Sequence, residues 1–311
     1  MAVKIGLGGT GTVGGGSIDI IQKHKDDFLR HFGVDIELAR VCSLSSAEAE
    51  AHGVGHLFTD NFNNIINDPE IDIVVELIGG TTIARTVVLN ALAAGKNVVT
   101  ANKALMATHG KEVMEAAEAA GKELAFEASV GGGIPIIRPL GSCLAANEIS
   151  EIYGILNGTT NYILTKMIKE GLSFDTALKQ AQEKGYAEAD PTADVEGFDA
   201  CRKICILASL SFGRHVYPAQ VPTQGITGVT AQDVALAEAA GMKIKLLGRA
   251  ILQEDGKVVA NVAPHLIPAD QQMAGVEDVF NGIVVRGDAI GDVMFYGRGA
   301  GKLPTASAVV A

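Results

Sequence analysis

No stretch of the sequence approaches the roughly 20 apolar residues that a helix needs to cross a bilayer. The start, MAVKIGLGG, carries one lysine and lacks a long apolar core and a small-residue cleavage site. It is therefore typical of a first β-strand and not of a signal peptide. The mean hydropathy of +0.25 is nevertheless high, which we attribute to a large core and a subunit interface. These features predict a cytoplasmic protein with no membrane partner.

Positive charge and cysteine are also scarce. Because 25 lysines and arginines stand against 36 acidic residues, the net charge is -11, which disfavours a nucleic-acid partner, since phosphate neutralisation requires a basic face. The four cysteines form no CxxC pair. Cys201 and Cys205 lie four residues apart on a predicted helix, where a packing role is favoured. Nothing in this set requires an oxidising compartment.

The 311 residues are enough for about two domains of roughly 100 to 200 residues each. In residues 1–135, apolar strands such as ELAFEAS alternate with helices such as KEVMEAAEAAG, which starts at Lys111. This alternation predicts a doubly wound (Rossmann) α/β domain that binds a dinucleotide. Residues 136–296 combine helices with strands joined by turns such as Asp255-Gly256, which predicts an α+β domain for substrate binding and dimerisation. The last segment, 297–311, ends in the opening of a helix. We expect it to return to the first domain; the alternative is a truncated chain.

A glycine-rich turn, GGTGTVGGG, follows the first strand and precedes the first helix. Gly9, Gly11 and Gly14 form the spacing G-x-G-x-x-G, in which glycines allow a tight turn and let the backbone approach a pyrophosphate. Thr12 and Val13 lie inside this turn and are expected to contact the cofactor with it. A merely structural turn is the alternative, but its place at the head of the βα units favours dinucleotide binding.

The second strand, in ELARVCSLSS, ends without an acidic residue that would accept the ribose 2′-OH of NAD. It carries Arg40, which can pair with a 2′-phosphate; a surface arginine packed along the sheet is the alternative. We therefore expect NADP(H) to be preferred and NAD(H) to be tolerated. After a later strand, KNVVT, the loop ANK places Lys103 at the edge where such sheets bind ligands. There it lies either beside the reactive end of the cofactor or in solvent.

The segment GYAEADPTADVEGFDACRK leads into a helix with a largely apolar face. Asp199 and Lys203 lie four residues apart, so a helix places them one turn apart on one face, and that face continues in core residues such as Ile206. Burial lowers the pKa of a lysine and an adjacent carboxylate raises it, a tension typical of proton-transfer groups and also of structural ion pairs. An exposed pair of about 0.3–0.5 kcal/mol is the simpler alternative.

Several carboxylates near one cation suit a small substrate that carries an ammonium group. They are Glu188, Asp190, Asp194, Glu196 and Asp199. A calcium loop is the rival interpretation, but this spacing lacks the alternate-residue ligands of an EF-hand. A nicotinamide site, a lysine acid/base and these carboxylates together predict hydride transfer at an alcohol or aldehyde of an amino-bearing substrate.

The motifs GTGTVG, ELIGG, TANKAL, FEASVGGGIPII and ILNGTTNYIL, with the charged segment above, resemble those of the homoserine dehydrogenases in the same order. The resemblance covers essentially the whole chain. It implies reversible NAD(P)-dependent interconversion of L-homoserine and L-aspartate 4-semialdehyde, in threonine and methionine biosynthesis, by a homodimer. Many relatives continue into a small C-terminal domain that senses threonine. We expect none here, and hence no inhibition through such a domain.

The resemblance also implies roles for individual residues. Lys203 matches the proton donor and acceptor at the substrate oxygen. Glu188, Asp194 and Asp199 match carboxylates that hold the substrate. Lys103 matches a lysine near substrate and nicotinamide.

Further matched positions concern the cofactor and an ion. Gly185 and Gly301 match cofactor-contacting positions. Glu127, Val130, Gly132 and Ile134 match a loop that holds a monovalent cation, commonly sodium. The loop binds the cation largely through carbonyl oxygens.

Two rival functions stay open. A phosphorylating aldehyde dehydrogenase would use Cys143 as its nucleophile. That chemistry needs a base to activate the thiol, and the seven histidines lie outside any recognisable partner motif. A dinucleotide-sensing protein without turnover is the other rival, and the intact lysine–carboxylate set weighs against it.

Overall fold

The computed structural model describes residues 2–311, which form two compact units. One unit comprises the chain up to Gly133 together with Ala300–Ala311, and the other comprises Ile134–Gly299. Among residues 2–311, no helix combines the length and the apolar character that crossing a membrane requires.

The elements alternate in the first part of the chain and are mixed in the second. The strands are β1 (Val3–Gly8), β2 (Ile36–Cys42), β3 (Phe58–Thr59), β4 (Ile73–Glu76), β5 (Asn97–Thr100), β6 (Leu124–Ala125), β7 (Ile149–Ile155), β8 (Met242–Leu252), β9 (Val258–Pro268), β10 (Phe280–Gly287) and β11 (Gly291–Arg298). The helices are α1 (Thr12–Phe32), α2 (Ser46–Ala51), α3 (Asn63–Ile66), α4 (Thr82–Ala93), α5 (Lys103–Ala120), α6 (Ile137–Gly141), α7 (Gly158–Glu170), α8 (Phe174–Glu183), α9 (Thr192–Val195), α10 (Phe198–Phe212), α11 (Ala231–Ala239) and α12 (Lys302–Val310).

The first unit is built on a parallel sheet in the order β3-β2-β1-β4-β5-β6. Its strands are short and apolar, and Leu7, Val41 and Val74 are fully buried, as expected where helices cover a parallel sheet. The strand order reverses between β1 and β4, which is the switch point where doubly wound sheets bind ligands. The predicted doubly wound fold is confirmed.

The second unit is built on an antiparallel sheet in the order β11-β10-β7-β8-β9. The β8–β9 hairpin turns at the predicted Asp255-Gly256, where Gly256 has a left-handed φ of 76°. Helix α10 packs on one face of this sheet. A Cβ on Gly248 would lie 3.0 Å from the side chain of Ile204, so glycine allows the close approach of helix and strand. The predicted α+β domain with antiparallel pairing is confirmed.

The C-terminal helix α12 packs against α1 within the first unit. Gly16 of α1 makes this approach possible, because a Cβ there would lie 3.0 Å from atoms of both Lys302 and Ala306. The Lys302 ammonium also contacts the carboxylate of Asp19 at 2.9 Å. The last helix is therefore part of the first unit.

Two stretches of the first unit differ from the sequence prediction. The predicted strand ELAFEAS is a strand only over β6, because a 3₁₀ turn over Glu127–Ser129 follows at once. Helix α5 begins well before its predicted start at Lys111. It starts at Lys103 because the Asn102 side chain caps it, accepting from the Leu105 N–H at 3.0 Å.

Candidate functional site

The glycine turn lies between β1 and α1, at the switch point of the first sheet. Gly9 has a left-handed φ of 94°, and a Cβ on Gly14 would lie 1.8 Å from the Gly9 carbonyl oxygen, so neither position suits a side chain. A Cβ on Gly11 would meet no atom of residues 2–311 within 4 Å, which leaves the backbone open there. These are the three uses of glycine in a pyrophosphate-binding turn: a tight turn, an open approach and close helix packing.

Helix α1 starts directly at this turn, with Gly11 as its N-cap, and the described part of the chain gives this end no side-chain cap. The first N–H groups of a helix have no partner within it. Those of Thr12 and Val13 are therefore donors at the positive end of the helix dipole, an arrangement that suits a phosphate group. The residues of this turn fit the pyrophosphate of a dinucleotide.

Arg40 lies within β2, opposite Gly6 of β1. Its Nε donates to Oδ2 of Asp68 at 3.1 Å. Asp68 precedes β4, on the amino side of the sheet, where its carbonyl oxygen accepts from Lys96 Nζ at 2.7 Å. A ribose phosphate would bind beyond the carboxyl ends of the strands. The guanidinium is thus directed away from the predicted site, which removes the geometric basis for a preference for NADP(H).

A carboxylate that sequence reasoning missed lies beside the glycine turn. The buried hydroxyl of Thr10 donates to Oε2 of Glu48, in the first turn of α2. The residues that directly follow β2 give no signal for it, because α2 brings this carboxylate back from further along the chain. The fold therefore places a negative charge at the turn.

A second missed carboxylate joins the loops that follow β4 and β5. Glu76, the last residue of β4, is fully buried, and its Oε2 accepts from the Thr100 hydroxyl at 2.7 Å. Its Oε1 accepts from the N–H groups of Ile78 at 2.8 Å and Gly79 at 3.2 Å. Three donors on one buried carboxylate hold the loop after β4 in place.

Asn102 extends this framework to the helix that bears Lys103. The Asn102 N–H donates to the Thr100 hydroxyl oxygen at 3.0 Å, and its Nδ2 donates to the Gly80 carbonyl oxygen at 2.7 Å. The Asn102 Oδ1 caps α5, whose first residue is Lys103. Lys103 therefore lies at the carboxyl edge of the sheet, on a framework that Glu76 anchors.

Three of the residues matched to a cation loop belong to the first unit, and the fourth, Ile134, begins the second. Glu127 opens the 3₁₀ turn, Val130 is buried after it, and Gly132 has a left-handed φ of 53°. Among residues 2–311, no three His, Cys, Asp or Glu side chains gather as metal ligands. A cation in the first-unit loop would therefore depend on main-chain carbonyls together with Glu127.

Lys203 and Asp199 form an ion pair one turn apart in α10, as the spacing predicts. The Lys203 Nζ donates to Asp199 Oδ2 at 2.7 Å and to the Leu156 carbonyl oxygen at 2.7 Å. The lysine and aspartate side chains are only 9% and 5% exposed. The exposed-pair alternative is therefore excluded, and the charges lie where their interaction is strong.

Asn157 connects this ion pair to a further carboxylate. It lies between β7 and α7, and its Nδ2 donates to Asp199 Oδ2 at 2.9 Å and to Asp194 Oδ1 at 2.8 Å. Its Oδ1 accepts from the Thr160 N–H at 2.9 Å and so caps α7. Burial, and then the negative charge of Asp199, raise the pKa of Asp194. The second unit thus holds a lysine, two carboxylates and an amide in one hydrogen-bonded network.

Glu188 lies on the exposed turn between α8 and α9. Its carbonyl oxygen accepts from Gln182 Nε2 at 3.1 Å, whereas its carboxylate makes no hydrogen bond or ion pair with any of residues 2–311. The carboxylate of the neighbouring Asp190 already has partners, because its Oδ1 accepts from the Thr192 N–H at 3.1 Å and from the Thr192 hydroxyl at 2.6 Å. Glu188 is therefore the carboxylate of this turn that is available to a ligand.

Two further glycines matched to the cofactor belong to different units. Gly185 follows α8 in the second unit with a φ of 72°, and Gly301 precedes α12 in the first with a φ of 122°. Both conformations favour glycine. A role of either residue in binding the cofactor stays a prediction.

Cys143 of the second unit is exposed. Its Sγ lies 3.7 Å from the Ser142 hydroxyl, and residues 2–311 offer it no hydrogen-bonded histidine or carboxylate as a base. A thiol without a base does not support the aldehyde dehydrogenase alternative. Cys201 and Cys205 are buried, in keeping with a packing role.

Family models match both units. A model described as homoserine dehydrogenase matches residues 135–311, and one described as homoserine dehydrogenase, NAD binding domain, matches residues 9–127. The homoserine dehydrogenase of Synechocystis sp. is 49% identical over 313 residues, which cover 100% of this chain and 72% of that protein. The one of Pseudomonas aeruginosa is 46% identical and is covered to 71%.

Solved structures agree with these matches. A crystal structure of a homoserine dehydrogenase from Thiobacillus denitrificans matches with a TM-score of 0.96 and 46% identity, covering 100% of this chain and 72% of that one. A hyperthermophilic archaeal homoserine dehydrogenase in complex with NADPH matches with a TM-score of 0.82 and 28% identity, covering 99% of this chain and 95% of that one. The chain therefore belongs to the homoserine dehydrogenase family, oxidoreductases that bind a nicotinamide dinucleotide and act on a CH–OH group.

Proposed function

We propose that the protein interconverts L-homoserine and L-aspartate 4-semialdehyde, with Lys203 as the general acid and base. The observation that carries this proposal is the buried Lys203–Asp199 pair, with Nζ and Oδ2 at 2.7 Å. Both residues lie within residues 135–311, which the homoserine dehydrogenase model matches. The reaction belongs to threonine and methionine biosynthesis, and we place it in the cytoplasm.

Lys203 moves the proton at the substrate oxygen. When the aldehyde is reduced, the Lys203 ammonium donates a proton to the oxygen as negative charge develops there; when homoserine is oxidised, the amine takes the proton back. Asp199 and the Leu156 carbonyl oxygen both accept from the ammonium. They therefore favour its charged form and fix its direction.

Carboxylates of the second unit hold the substrate's ammonium group. Glu188 supports this role because its carboxylate is exposed and free of partners among residues 2–311. Asp194 supports it because Asn157 holds its Oδ1 at 2.8 Å, in one network with Asp199. A cationic ammonium nearby would favour the ionised form of Asp194 and so offset its raised pKa.

The nicotinamide ring, when bound, supplies or accepts the hydride. The turn of Gly9, Gly11 and Gly14 would hold the pyrophosphate, with the N–H groups of Thr12 and Val13 as donors. The other cofactor contacts that we propose are those of Lys103, Gly185 and Gly301. A monovalent cation, sodium by the resemblance, would be held by Glu127, Val130, Gly132 and Ile134.

We also propose that the protein is a homodimer. The face of the second sheet opposite α10 carries exposed apolar side chains, such as Val259, 47% exposed, and Tyr296, 57% exposed. An exposed apolar sheet face is typical of a protein interface. Light scattering should give the mass of two chains, and Tyr296→Glu should weaken the assembly. A monodisperse monomer would contradict this part of the proposal.

The activity is tested by mixing the protein with L-homoserine and either oxidised dinucleotide and following the absorbance of the reduced nicotinamide. Steady, homoserine-dependent formation is the expected result, and Cys143→Ser should leave it unchanged. Cofactor binding without turnover would support a sensing protein instead. Loss of turnover in Cys143→Ser would support the aldehyde dehydrogenase alternative.

A further inference from the structure

We infer that Glu48 sets the cofactor choice of this enzyme, favouring NAD(H) over NADP(H), because its carboxylate lies where the adenosine ribose docks. The inference deepens the proposed function and rests on it for the presence of a nicotinamide dinucleotide. It depends on the charges found around the end of β2 and on the contact between Glu48 and the glycine turn.

The end of β2 lies directly against the glycine turn. The Gly9 N–H donates to the Cys42 carbonyl oxygen at 2.8 Å, and Cys42 is paired with Gly8. In doubly wound sheets the adenosine ribose is read at this point, beyond the carboxyl end of the second strand. The residues that follow Cys42 therefore decide whether a 2′-hydroxyl or a 2′-phosphate is accepted.

No cation follows the end of β2. Residues 43–47 read SLSSA, so the first charged side chain after the strand is Glu48. Two basic side chains of the first unit, Arg40 of β2 and Lys302 at the start of α12, have carboxylate partners of their own in Asp68 and Asp19. A 2′-phosphate carries two negative charges that require such a partner, and this position does not supply one.

The position of Glu48 is fixed by two contacts. The Ser45 hydroxyl accepts from the Ala47 N–H at 3.3 Å and caps the helix that carries Glu48. The hydroxyl of Thr10, a residue only 3% exposed, donates to Oε2 of Glu48. The Oε1 atom has no hydrogen-bond partner among residues 2–311, so it is an acceptor available to a ribose hydroxyl.

A second carboxylate makes the same region negative. The thiol of Cys42, at the strand end, has its pKa raised to about 11 by burial and by the nearby charge of Asp60. Asp60 follows β3, the neighbour of β2 in the sheet. Two carboxylates therefore make the region around the end of β2 negative, which favours a hydroxyl that donates a hydrogen bond and disfavours a phosphate.

Fluorescence titration of the whole protein with NADH and with NADPH tests the inference. We expect NADH to bind at least about tenfold more tightly, because like charges without a counterion oppose the 2′-phosphate. Glu48→Gln keeps an oxygen that can accept from Thr10 and removes the charge, so it should bring the two dissociation constants within about threefold, mainly by tightening NADPH. The matched control is Glu50→Gln, in the same helix and equally exposed, which should leave the ratio unchanged.

Tighter binding of NADPH by the wild-type protein would overturn the inference, as would a ratio that Glu48→Gln does not alter. Circular dichroism confirms that each variant is folded.

Turnover of homoserine separates this inference from the proposed function. A protein that prefers NADH through Glu48 but does not oxidise homoserine refutes the function alone, and one that oxidises homoserine with a preference for NADP refutes the cofactor choice alone. A protein that binds neither dinucleotide refutes both.

Discussion

The two units offer their ligands different surfaces. The first presents backbone: a turn in which glycine leaves room for a pyrophosphate and for the packing of α1. The second presents side chains: Lys203, Asp199, Asn157 and Asp194, linked by hydrogen bonds of 2.7–2.9 Å. The first site depends on glycines, because a side chain at these positions would fill the space. The second site depends on charged and polar side chains that bind one another. An added methyl group should therefore disrupt the first site, and a lost charge should disrupt the second.

The largest expected effect on stability comes from removing a charge in the second unit. Asp199→Asn removes the carboxylate that accepts from the buried Lys203 ammonium, and breaking a buried ion pair costs about 3–5 kcal/mol. Urea unfolding should show a loss of that size. The control, Asp255→Asn, removes the exposed partner of Lys257 and should cost less than about 1 kcal/mol. If both variants lost the same free energy of unfolding, burial would not make the Asp199–Lys203 pair stronger than the exposed pair.

A methyl group added to the turn should destabilise the protein at Gly14, which is tightly packed, and not at Gly11, which is open. Gly14→Ala would bring a Cβ to 1.8 Å from the Gly9 carbonyl oxygen, and relieving such overpacking costs about 1–3 kcal/mol of the free energy of unfolding. Gly11→Ala meets open space and should change stability by less than about 0.5 kcal/mol. Both should weaken NADH binding in a titration. If Gly11→Ala binds NADH as the wild type does, the pyrophosphate does not approach that position.

Glu76 tests whether the backbone site also depends on a side chain. Glu76→Gln replaces a carboxylate oxygen that accepts from the Thr100 hydroxyl with an NH₂ group that cannot accept. Leaving that donor without a partner costs about 1–3 kcal/mol. We expect kcat/KM to fall several-fold because the start of α5, which carries Lys103, shifts. Glu118→Gln, an exposed change on the same helix as Lys103, should leave kcat/KM unchanged, and equal effects of the two variants would refute the framework role of Glu76.

The smallest expected effect comes from Asp194, whose replacement should stabilise the protein instead of destabilising it. Burial, and then the charge of Asp199, raise its pKa above the ordinary value of 3.8. The protonated Asp194 carboxyl therefore contributes its full stabilisation below pH 3.8. This stabilisation is lost as the pH rises through the raised pKa of the folded state. At neutral pH the ionised group destabilises the free protein, so Asp194→Asn should raise Tm slightly and raise KM for homoserine. A lower Tm at neutral pH would contradict this account.

The features that depend on local spacing could be predicted from the sequence. The glycine turn, the alternating strands and helices, and the Asp199–Lys203 pair all lie within short segments, where periodicity determines which groups share a face. The direction of Arg40 was not predictable in this way. Alternation along a strand gives the face of a side chain, but it does not say towards which end of the sheet a long side chain runs.

Groups that act through distant partners were not predictable either. Glu76 receives the Thr100 hydroxyl from 24 residues away, and Asn157 reaches Asp199 across 42 residues. Both residues stood inside motifs that the family resemblance identified, but no spacing indicated which carboxylates or loops they join. Glu48 contacts the turn only because α2 folds back onto it, which again depends on tertiary structure.

The central claim is that the amine of Lys203 performs the proton transfer. Its most direct test compares the turnover of Lys203→Ala with that of the wild type at saturating homoserine and dinucleotide, with NADH binding measured on the same samples. We predict that turnover falls by about 100- to 10,000-fold while the dissociation constant of NADH is unchanged. Turnover close to that of the wild type, in a folded variant that still binds NADH, would contradict the assignment.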